Sequence, residues 1–228
     1  MLAAGPDVIR GPTLYAKQYD AFFGDERIAC TEATTKAGKS LGALIWLMDQ
    51  GITVHPGHAL LWCSPVYAQA KVMFERLVRW LTEADPKREM GWSENRTDPT
   101  VTLPGGAVVW FKGSEKPDSI YGTDYSAVVI DEASRCREEA WHAVRSTTTA
   151  TRGKIRIIGN VRGRKNWAYK LARIAENGEP GMSYHKITAV DAVAAGILDV
   201  AEIDDARRHL PESVFRELYM AEPSDDTG

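Results

Sequence analysis

The eight residues Ala33-Thr34-Thr35-Lys36-Ala37-Gly38-Lys39-Ser40 end in a glycine, a lysine and a serine. An apolar run of strand length precedes them and an apolar run with helical character follows, which is the setting of the phosphate-binding pattern G-x-x-x-x-G-K-[ST]. In this pattern Gly38 lets backbone N–H groups approach phosphates, Lys39 reaches the β- and γ-phosphates, and the Ser40 hydroxyl ligates Mg²⁺. Residues 33–40 therefore predict a phosphate loop that binds ATP and Mg²⁺.

Two positions of this loop leave questions open. Ala33 stands where the pattern has glycine, and alanine does not adopt a positive φ at little cost, so this end of the loop must bend differently. Lys36 adds a second cation, which either touches the γ-phosphate or is an ordinary exposed loop lysine.

An acidic pair, Asp131-Glu132, directly follows the apolar run 127–130. In open α/β sheets ligands bind at the carboxyl ends of strands, so Asp131 is predicted to hold hydrated Mg²⁺. Glu132 is predicted to orient and polarise the water that attacks the γ-phosphorus. Taken alone, neighbouring carboxylates here are also typical of a helix cap. Together with the lysine 92 residues earlier, the pair predicts ATP hydrolysis.

Strand-length apolar runs alternate with helical segments, which is typical of a parallel α/β sheet. Two β-rich runs around a Pro-Gly-Gly sequence interrupt this alternation and predict a β-hairpin insertion. The predicted strands are Glu26–Thr31, His58–Ser64, Ala127–Asp131, Lys154–Gly159 and Ser183–Thr188; the hairpin is Thr100–Leu103 with Ala107–Phe111; the predicted helices are Ser40–Gln50, Tyr67–Ala84 and Asp204–Met220, the last interrupted at Pro211.

Composition argues for one globular domain. The chain has 228 residues, 44% of them hydrophobic and 26% charged, enough for a substantial core. The N-terminus lacks the charged start and apolar run of a signal peptide, and the apolar stretches are only of strand length, so neither secretion nor a membrane span is expected. Cys30, Cys63 and Cys136 form no CxxC pair and are expected to be buried, while His55-Pro56-Gly57-His58 is expected to form a turn rather than a metal site.

The basic residues are unevenly distributed. The whole chain has a net charge of −3, and no acidic residue occurs between Glu139 and Glu176. The rest of the chain carries 19 basic and 31 acidic residues, which is a net charge of −12. A local basic segment suits contact with a polyanion, although a solvated surface is an equal alternative on charge alone. The segment contains Arg145, Arg152, Lys154, Arg156, Arg162, Arg164, Lys165, Lys170 and Arg173. Whether Arg162 to Lys170 approaches DNA or flanks the nucleotide stays open.

Further segments occur in a recognisable order around the two motifs. They are Leu14–Phe22, Leu61–Ala70 with its Pro-x-Tyr turn, Asp118–Gly122, Ile157–Asn160, Arg164–Tyr169 and Phe215–Met220. In order and spacing, from about Tyr15 to Asp226, the sequence resembles the ATPase domain of the large terminase subunits of tailed phages.

The resemblance implies a RecA-like P-loop NTPase fold of the additional-strand, catalytic-glutamate type. Residues 1–200 would form the ATPase domain and residues 201–228 a helical lid and linker toward a nuclease domain, so nuclease activity is not expected in this chain. The Gln18 amide would pair with the adenine edge. Asn160 would sense the γ-phosphate and couple it to DNA-gripping parts.

The implied function is Mg²⁺-dependent ATP hydrolysis that drives double-stranded DNA into a procapsid in the cytoplasm of the bacterial host, at the portal vertex. Implied partners are double-stranded DNA, the portal protein, the small terminase subunit and further copies of the chain in a ring, whereas the isolated domain is expected to be monomeric. A superfamily-2-type helicase or translocase, and a degenerate nucleotide-binding scaffold supported only by Ala33, are the alternatives.

One departure from the family pattern concerns the residue before Gly122. Some relatives carry an arginine there that is proposed to act in trans, whereas this chain has Tyr121. The arginine finger is therefore unassigned, and the candidates are Arg145, Arg152, Arg162 and Arg164.

Overall fold

In a computed structural model of the chain, the residues described are 2–4, 7–9 and 12–223. The strands are β1 Leu2–Ala4, β2 Asp7–Ile9, β3 Ile28–Ala33, β4 Ala59–Ser64, β5 Ser93–Asn95, β6 Thr100–Thr102, β7 Val108–Gly113, β8 Tyr125–Ile130, β9 Lys154–Gly159 and β10 Met182–Ile187. The helices are α1 Ala16–Phe23, α2 Lys39–Asp49, α3 Tyr67–Ala84, α4 Glu138–Thr147, α5 Trp167–Glu176, α6 Ala189–Ala194, α7 Val200–His209 and α8 Glu212–Tyr219.

The main sheet has the strand order β10-β3-β9-β8-β4-β7-β6-β5. Strand β3 pairs in parallel with β10, and β4 pairs in parallel with both β7 and β8. Strands β5, β6 and β7 pair antiparallel at one edge. The predicted mostly parallel sheet with a β-hairpin is therefore confirmed, and β7 belongs at the same time to the hairpin and to the parallel part of the sheet.

Of the described residues, the first compact unit contains 2–4, 7–9, 12–13, 43–131 and 135–155. Its strand β8 is buried along its whole length, and α3 packs on β7 through an edge-to-face contact of Phe74 with Phe111, 5.6 Å between ring centroids. The predicted hairpin turn is present, with positive φ at Gly105 and Gly106. Strand β5 was not predicted, because its sequence Ser-Glu-Asn has neither alternation nor β-branched residues.

Of the described residues, the second compact unit contains 14–42, 132–134 and 156–223. Strand β3 is fully buried and pairs along its six residues with β10. Helix α1 lies against the first turns of α2, because Gly42 has no side chain. A Cβ there would lie 2.5 Å from the ring of Phe22. This packing brings α1 next to the loop between β3 and α2.

Arg156 in β9 is fully buried and holds the end of α1. Its guanidinium donates to three backbone carbonyl oxygens, those of Phe22 at 2.8 Å, Gly24 at 2.9 Å and Glu26 at 3.0 Å. Burial lowers the pKa of Arg156 to about 10, so the group stays charged at neutral pH. Arg156 is therefore a structural cation. It is not part of a polyanion-binding surface, which the nine basic residues between Glu139 and Glu176 suggested.

Replacing Arg156 by methionine is expected to lower the free energy of unfolding by about 2–4 kcal/mol, because carbonyl groups with little access to water lose their donors. Urea unfolding followed by circular dichroism measures this change. The matched control is Arg79→Met on the exposed side of α3, for which a change within about 0.5 kcal/mol is expected. Equal stabilities of the two variants would show that the three contacts contribute nothing.

The predicted boundaries differ from the structure mainly at β3 and α2. Strand β3 continues two residues beyond the predicted end, to Ala33, because that residue still pairs with Ile187 of β10. Helix α2 begins at Lys39 and passes into a π-helical turn at Gln50–Val54. The predicted interruption at Pro211 is confirmed, since this proline is the N-cap of α8.

The three cysteines are buried, as predicted, and form no disulfide among the residues that the structure describes. His55 to His58 forms the predicted turn before β4, with Gly57 at φ +79°. Of the helices that the structure describes, none has both the length and the apolar character needed to cross a bilayer. The division at residue 200 stays a prediction, and the last five residues of the predicted linker, 224–228, lie outside the described residues.

Candidate functional site

The predicted phosphate loop connects β3 to α2 within the second unit. Ala33 is the fully buried last residue of β3 and pairs with Ile187, so it has extended backbone and needs no glycine. The chain bends after it, with left-handed φ values of +59° at Lys36 and +74° at Gly38. The open question about the first motif position is thereby answered, because the bend begins later than the pattern suggests.

Backbone contacts attach the loop to two neighbouring elements. The Thr34 N–H donates to the Ile187 carbonyl oxygen at 2.9 Å, and the Thr35 N–H donates to the Leu218 carbonyl oxygen at 2.8 Å. Leu218 belongs to α8, in the segment predicted to be a lid. The start of the loop is therefore held by β10 on one side and by the C-terminal helix on the other.

Gln18, on α1, is 2% exposed and contacts the far end of the loop. Its Nε2 donates to the carbonyl oxygens of Ala37 at 3.2 Å and Gly38 at 3.0 Å, and its Oε1 accepts from the Tyr15 N–H at 3.2 Å. The Tyr15 hydroxyl also donates to the Ala37 carbonyl oxygen, at 2.9 Å. Burial, followed by the charge of Asp191, raises the pKa of Tyr15 to about 12, which keeps this donor protonated.

Gly38 is required for two independent reasons. Its φ of +74° is strained for any residue with a side chain, and a Cβ built on it would lie 2.3 Å from Gln18 Nε2. The close approach of α1 to the loop therefore depends on the absence of a side chain here. Close backbone approach is also the role that the phosphate-binding pattern gives to this glycine.

Lys39 lies at the centre of a three-residue cluster. Its side chain is 9% exposed, and its Nζ donates to Asn160 Oδ1 at 2.7 Å and forms an ion pair with Glu132 Oε1 at 3.2 Å. Asn160 follows β9 and Glu132 follows β8, so residues far apart in sequence meet at one ammonium group. The predicted catalytic residues Lys39, Glu132 and Asn160 are therefore brought together by the fold.

The backbone of Glu132 is in the left-handed region, with φ +49°, which costs a non-glycine residue of the order of 1 kcal/mol. Gly159, at the end of β9, makes room for this conformation. A Cβ at position 159 would lie 3.0 Å from the Ala133 nitrogen and 3.3 Å from Glu132 Cα. Strain of this kind is typical of functional positions, and here it directs the Glu132 carboxylate toward Lys39.

Two buried polar atoms, Asn160 Nδ2 in the cluster and Thr34 Oγ1 in the phosphate loop, have no hydrogen-bond partner among the residues that the structure describes. Burying such a group without a partner costs about 1–3 kcal/mol. Both are hydrogen-bond donors, and a phosphate group supplies acceptors only. The Asn160 amide and the Thr34 hydroxyl can therefore donate hydrogen bonds to an anionic ligand.

The two predicted metal ligands, Ser40 and Asp131, belong to different compact units. Ser40 is half-buried in the first turn of α2. Asp131 is 8% exposed, and its backbone N–H donates to the Cys63 carbonyl oxygen at 2.8 Å, which fixes its place after β8. A hydroxyl and a carboxylate are hard oxygen donors, which fit the ligand preference of Mg²⁺.

A family model described as "Terminase large subunit, T4likevirus-type, N-terminal" matches residues 30–228. The chain belongs to this family. The matched range contains every predicted site residue except Gln18, which lies upstream of it. The resemblance inferred from the sequence motifs is confirmed.

Curated terminase relatives show the same affiliation at the sequence level. The large terminase subunits of Thermus phage G20c and Thermus virus P23-45 are each 28% identical to this chain over 161 residues, which is 64% of this chain and 32% of theirs. The chain thus spans about a third of the length of these curated terminases.

Solved structures confirm the RecA-like P-loop fold. The large terminase ATPase domain of Thermus phage P74-26 superposes with a TM-score of 0.79 at 19% identity, covering 92% of this chain and 94% of that domain. The large terminase of a thermophilic bacteriophage, in complex with ADP, gives 0.73 at 14% identity, covering 91% of this chain and 52% of its own. The HK97 large terminase gives 0.72 at 15% identity, covering 91% and 48%.

The terminase arginine finger stays unassigned. Tyr121 is 48% exposed. Of the four candidates, Arg152, Arg162 and Arg164 are exposed, and the half-buried Arg145 lies 5.8 Å from the Trp141 ring centroid.

Sequence reasoning missed Tyr15, Gly159 and the α8 backbone as parts of the candidate site. For Gly159 a signal existed, because a glycine at the end of an apolar strand indicates close approach of another backbone. Tyr15 and Leu218 contribute through a hydroxyl and a carbonyl group whose partners depend on tertiary packing. No sequence pattern marks them.

The role predicted for Gln18, an adenine contact, is tested by comparing ATP with GTP. Gln18→Ala is expected to raise the Kd of both nucleotides by a similar factor of about 5–30, because the lost hydrogen bonds hold the phosphate loop, which both nucleotides share. Isothermal titration measures both constants, with Gln69→Ala on α3 as the exposed control. A loss confined to ATP would show that Gln18 also reads the base.

Proposed function

We propose that this chain is the ATPase domain of a phage terminase large subunit and that it hydrolyses ATP with Mg²⁺ to drive double-stranded DNA into a procapsid. One observation carries the proposal. The phosphate-loop lysine Lys39 contacts both Asn160 and Glu132, at 2.7 and 3.2 Å. A cation, an amide and a carboxylate at one point are the groups that γ-phosphate recognition and water activation require.

The phosphate loop would bind the nucleotide through its backbone and through Lys39. Gly38 allows the triphosphate to approach the backbone, and the N-terminus of α2 adds its positive end. Lys39 would neutralise charge on the β- and γ-phosphates. The Asn160 Nδ2, buried and without a partner among the described residues, would donate to a γ-phosphate oxygen. In this way Asn160 reports whether a γ-phosphate is present.

Glu132 would act on the attacking water. Its carboxylate shares Lys39 with Asn160, so a γ-phosphate that takes over the lysine contact leaves Glu132 as an acceptor for a water proton. The left-handed backbone of Glu132, made possible by Gly159, limits the orientations of this carboxylate. A positioned general base of this kind contributes about 10²- to 10⁴-fold to a rate.

Ser40 and Asp131 are the proposed ligands of Mg²⁺. Mg²⁺ held by these residues would supply positive charge that neutralises the charge developing during phosphoryl transfer. Ser40 would supply a neutral hydroxyl oxygen from the first turn of α2. Asp131 would supply a negatively charged carboxylate oxygen. Burial of Asp131 restricts the positions that its carboxylate samples.

The comparisons support nucleotide binding and a role in packaging. The large terminase of the thermophilic bacteriophage is known in complex with ADP and with ATP-γ-S, and the structurally similar P74-26 protein is a large terminase ATPase domain. By this likeness we propose double-stranded DNA, the portal protein and the small terminase subunit as partners, with further copies of the chain in a ring. The proposed place of action is the portal vertex, in the bacterial cytoplasm.

The scaffold alternative loses its support at Ala33. This residue is extended in β3, so its departure from the glycine pattern costs the loop nothing. The residue types that ATP hydrolysis requires are present, and Lys39 contacts both Asn160 and Glu132. An active ATPase is therefore the function that the site supports best.

Phosphate release, measured at increasing protein concentration with and without duplex DNA, tests the proposal. Turnover that rises faster than linearly with protein concentration is expected, because a neighbouring copy in the ring supplies the arginine finger in trans. Strictly linear turnover would contradict the ring mechanism. Absence of turnover at high concentration with DNA and Mg²⁺ present would contradict the ATPase assignment and favour the scaffold.

A further inference from the structure

We infer that an exposed basic segment between β9 and the first turn of α5 is the surface with which this chain contacts DNA phosphates. The segment, called the basic segment below, comprises residues 162–170. Its exposed cations are Arg162, Arg164, Lys165 and Lys170. The inference rests on the proposed function, since it names the surface of the ATPase domain that meets the DNA.

The structure divides the basic residues of this region into structural and exposed ones. Arg156 is fully buried against backbone carbonyls, and Arg173 is ion-paired to Glu32 and Glu176 at 2.5 and 2.9 Å. The guanidinium of Arg173 also lies 4.7 Å from the centroids of two tyrosine rings. The exposed cations between Glu139 and Glu176 are Arg152 and the four of the basic segment. The four lie within nine consecutive residues, and several exposed charges of one sign attract a polyanion.

The orientation of the side chains in the basic segment favours contact with DNA over contact with the bound nucleotide. Asn160, whose side chain meets Lys39, is followed by the buried Val161, after which the side chain of Arg162 is exposed. Two backbone polar groups of the basic segment form hydrogen bonds with side chains of the protein itself. The Gly163 N–H donates to Glu217 Oε1 at 3.0 Å, and the Arg162 carbonyl accepts from Asn166. The exposed side chains thus suit a long external polyanion.

Duplex DNA fits this arrangement because of its charge density. It carries a negative charge for about every 1.7 Å of helix axis, so four cations within nine residues can meet several phosphates at once. Helix α5, capped by Asn166 at 2.9 Å from the Tyr169 N–H, adds the positive end of its dipole on the same segment. Contacts of this type bind without reading sequence, as a packaging motor requires.

The basic segment is also connected to the phosphate loop by two hydrogen-bonded routes. One runs from Lys39 to Asn160, two residues before Arg162. The other runs through α8, where Glu217 accepts from Gly163 and the next residue, Leu218, accepts from Thr35. Loss of the γ-phosphate would therefore alter hydrogen bonds that connect directly to the basic segment, the surface inferred to contact DNA.

Fluorescence anisotropy with a duplex of about 30 base pairs, at several salt concentrations, tests the inference on two double variants. Arg162→Gln/Arg164→Gln and Lys165→Gln/Lys170→Gln are each expected to weaken DNA binding by about tenfold. Each is also expected to reduce the slope of log Kd against log salt by about 2, one for each lost phosphate contact. Lys71→Gln/Arg76→Gln on α3, which removes the same charge from an exposed helix, is expected to change neither quantity.

The outcomes distinguish this inference from the proposed function. Equal effects of the α3 control and the two test variants would overturn the inference, because only net charge would matter. Loss of ATP turnover with the arginine pair, at unchanged DNA affinity of both variants, would identify a trans-acting arginine and also overturn it. If the unaltered chain hydrolyses ATP but binds no duplex at low salt, the inference fails and the ATPase assignment stands. If it binds duplex through this segment without hydrolysing ATP, only the proposed function fails.

Discussion

Replacing Glu132 by glutamine is expected to lower kcat for ATP hydrolysis by about 10²- to 10⁴-fold while changing the Kd for ATP little. Glutamine keeps the size of the side chain and an oxygen that can accept from Lys39 Nζ, now 3.2 Å away. It removes the basicity that takes up the water proton. Single-turnover hydrolysis gives the rate, and titration with a fluorescent ATP analogue gives the affinity.

Glu83→Gln, on the exposed side of α3, is the matched control for this substitution. It removes one carboxylate from the surface and is expected to leave both constants unchanged. An unchanged kcat in Glu132→Gln would remove Glu132 from the chemistry. A large loss of ATP affinity at unchanged kcat would assign it to binding instead.

Replacing Lys39 by methionine is expected to lower kcat/KM for ATP by about 10²- to 10³-fold or more. Methionine keeps most of the apolar stem, which is largely buried, but removes the ammonium group that contacts Asn160 and Glu132. The variant also leaves the Glu132 carboxylate without this ion pair. Steady-state kinetics over a range of ATP concentrations measures the loss.

Lys71→Met on α3 is the control for general effects of removing a positive charge. Lys36→Met answers the separate question that the sequence left open. Lys36 is exposed and its backbone is left-handed, so a direct γ-phosphate contact would appear as a second large loss. Turnover of Lys39→Met equal to that of Lys71→Met would contradict the role given to Lys39.

Much of the fold could be predicted because buried parallel strands have a strong local signature. Strand β9 and helix α3 have the predicted bounds. Strand β5 was missed because three polar residues at a sheet edge carry no hydrophobic pattern. The start of the phosphate loop was misplaced because the pattern does not say that Ala33 still pairs with β10.

The candidate site was predictable in its residue types but not in its contacts. The proximity of Glu132 to Lys39 followed from the rule that ligands bind at the carboxyl ends of strands, whereas Asn160 was assigned only through the resemblance to terminases. The partners of Gln18 did not follow, because an amide that donates to loop carbonyls has the same sequence signature as one that pairs with a base. The charge pattern likewise combined surface cations with the buried Arg156, a distinction that only tertiary burial makes.

A crystal structure of Glu132→Gln with ATP-γ-S and Mg²⁺ tests the central claim most directly. We expect the γ-thiophosphate within about 3 Å of Lys39 Nζ and Asn160 Nδ2, and the ion bound to the oxygens of Ser40 and Asp131. Nucleotide bound elsewhere, or phosphates that touch neither Lys39 nor Asn160, would contradict the account.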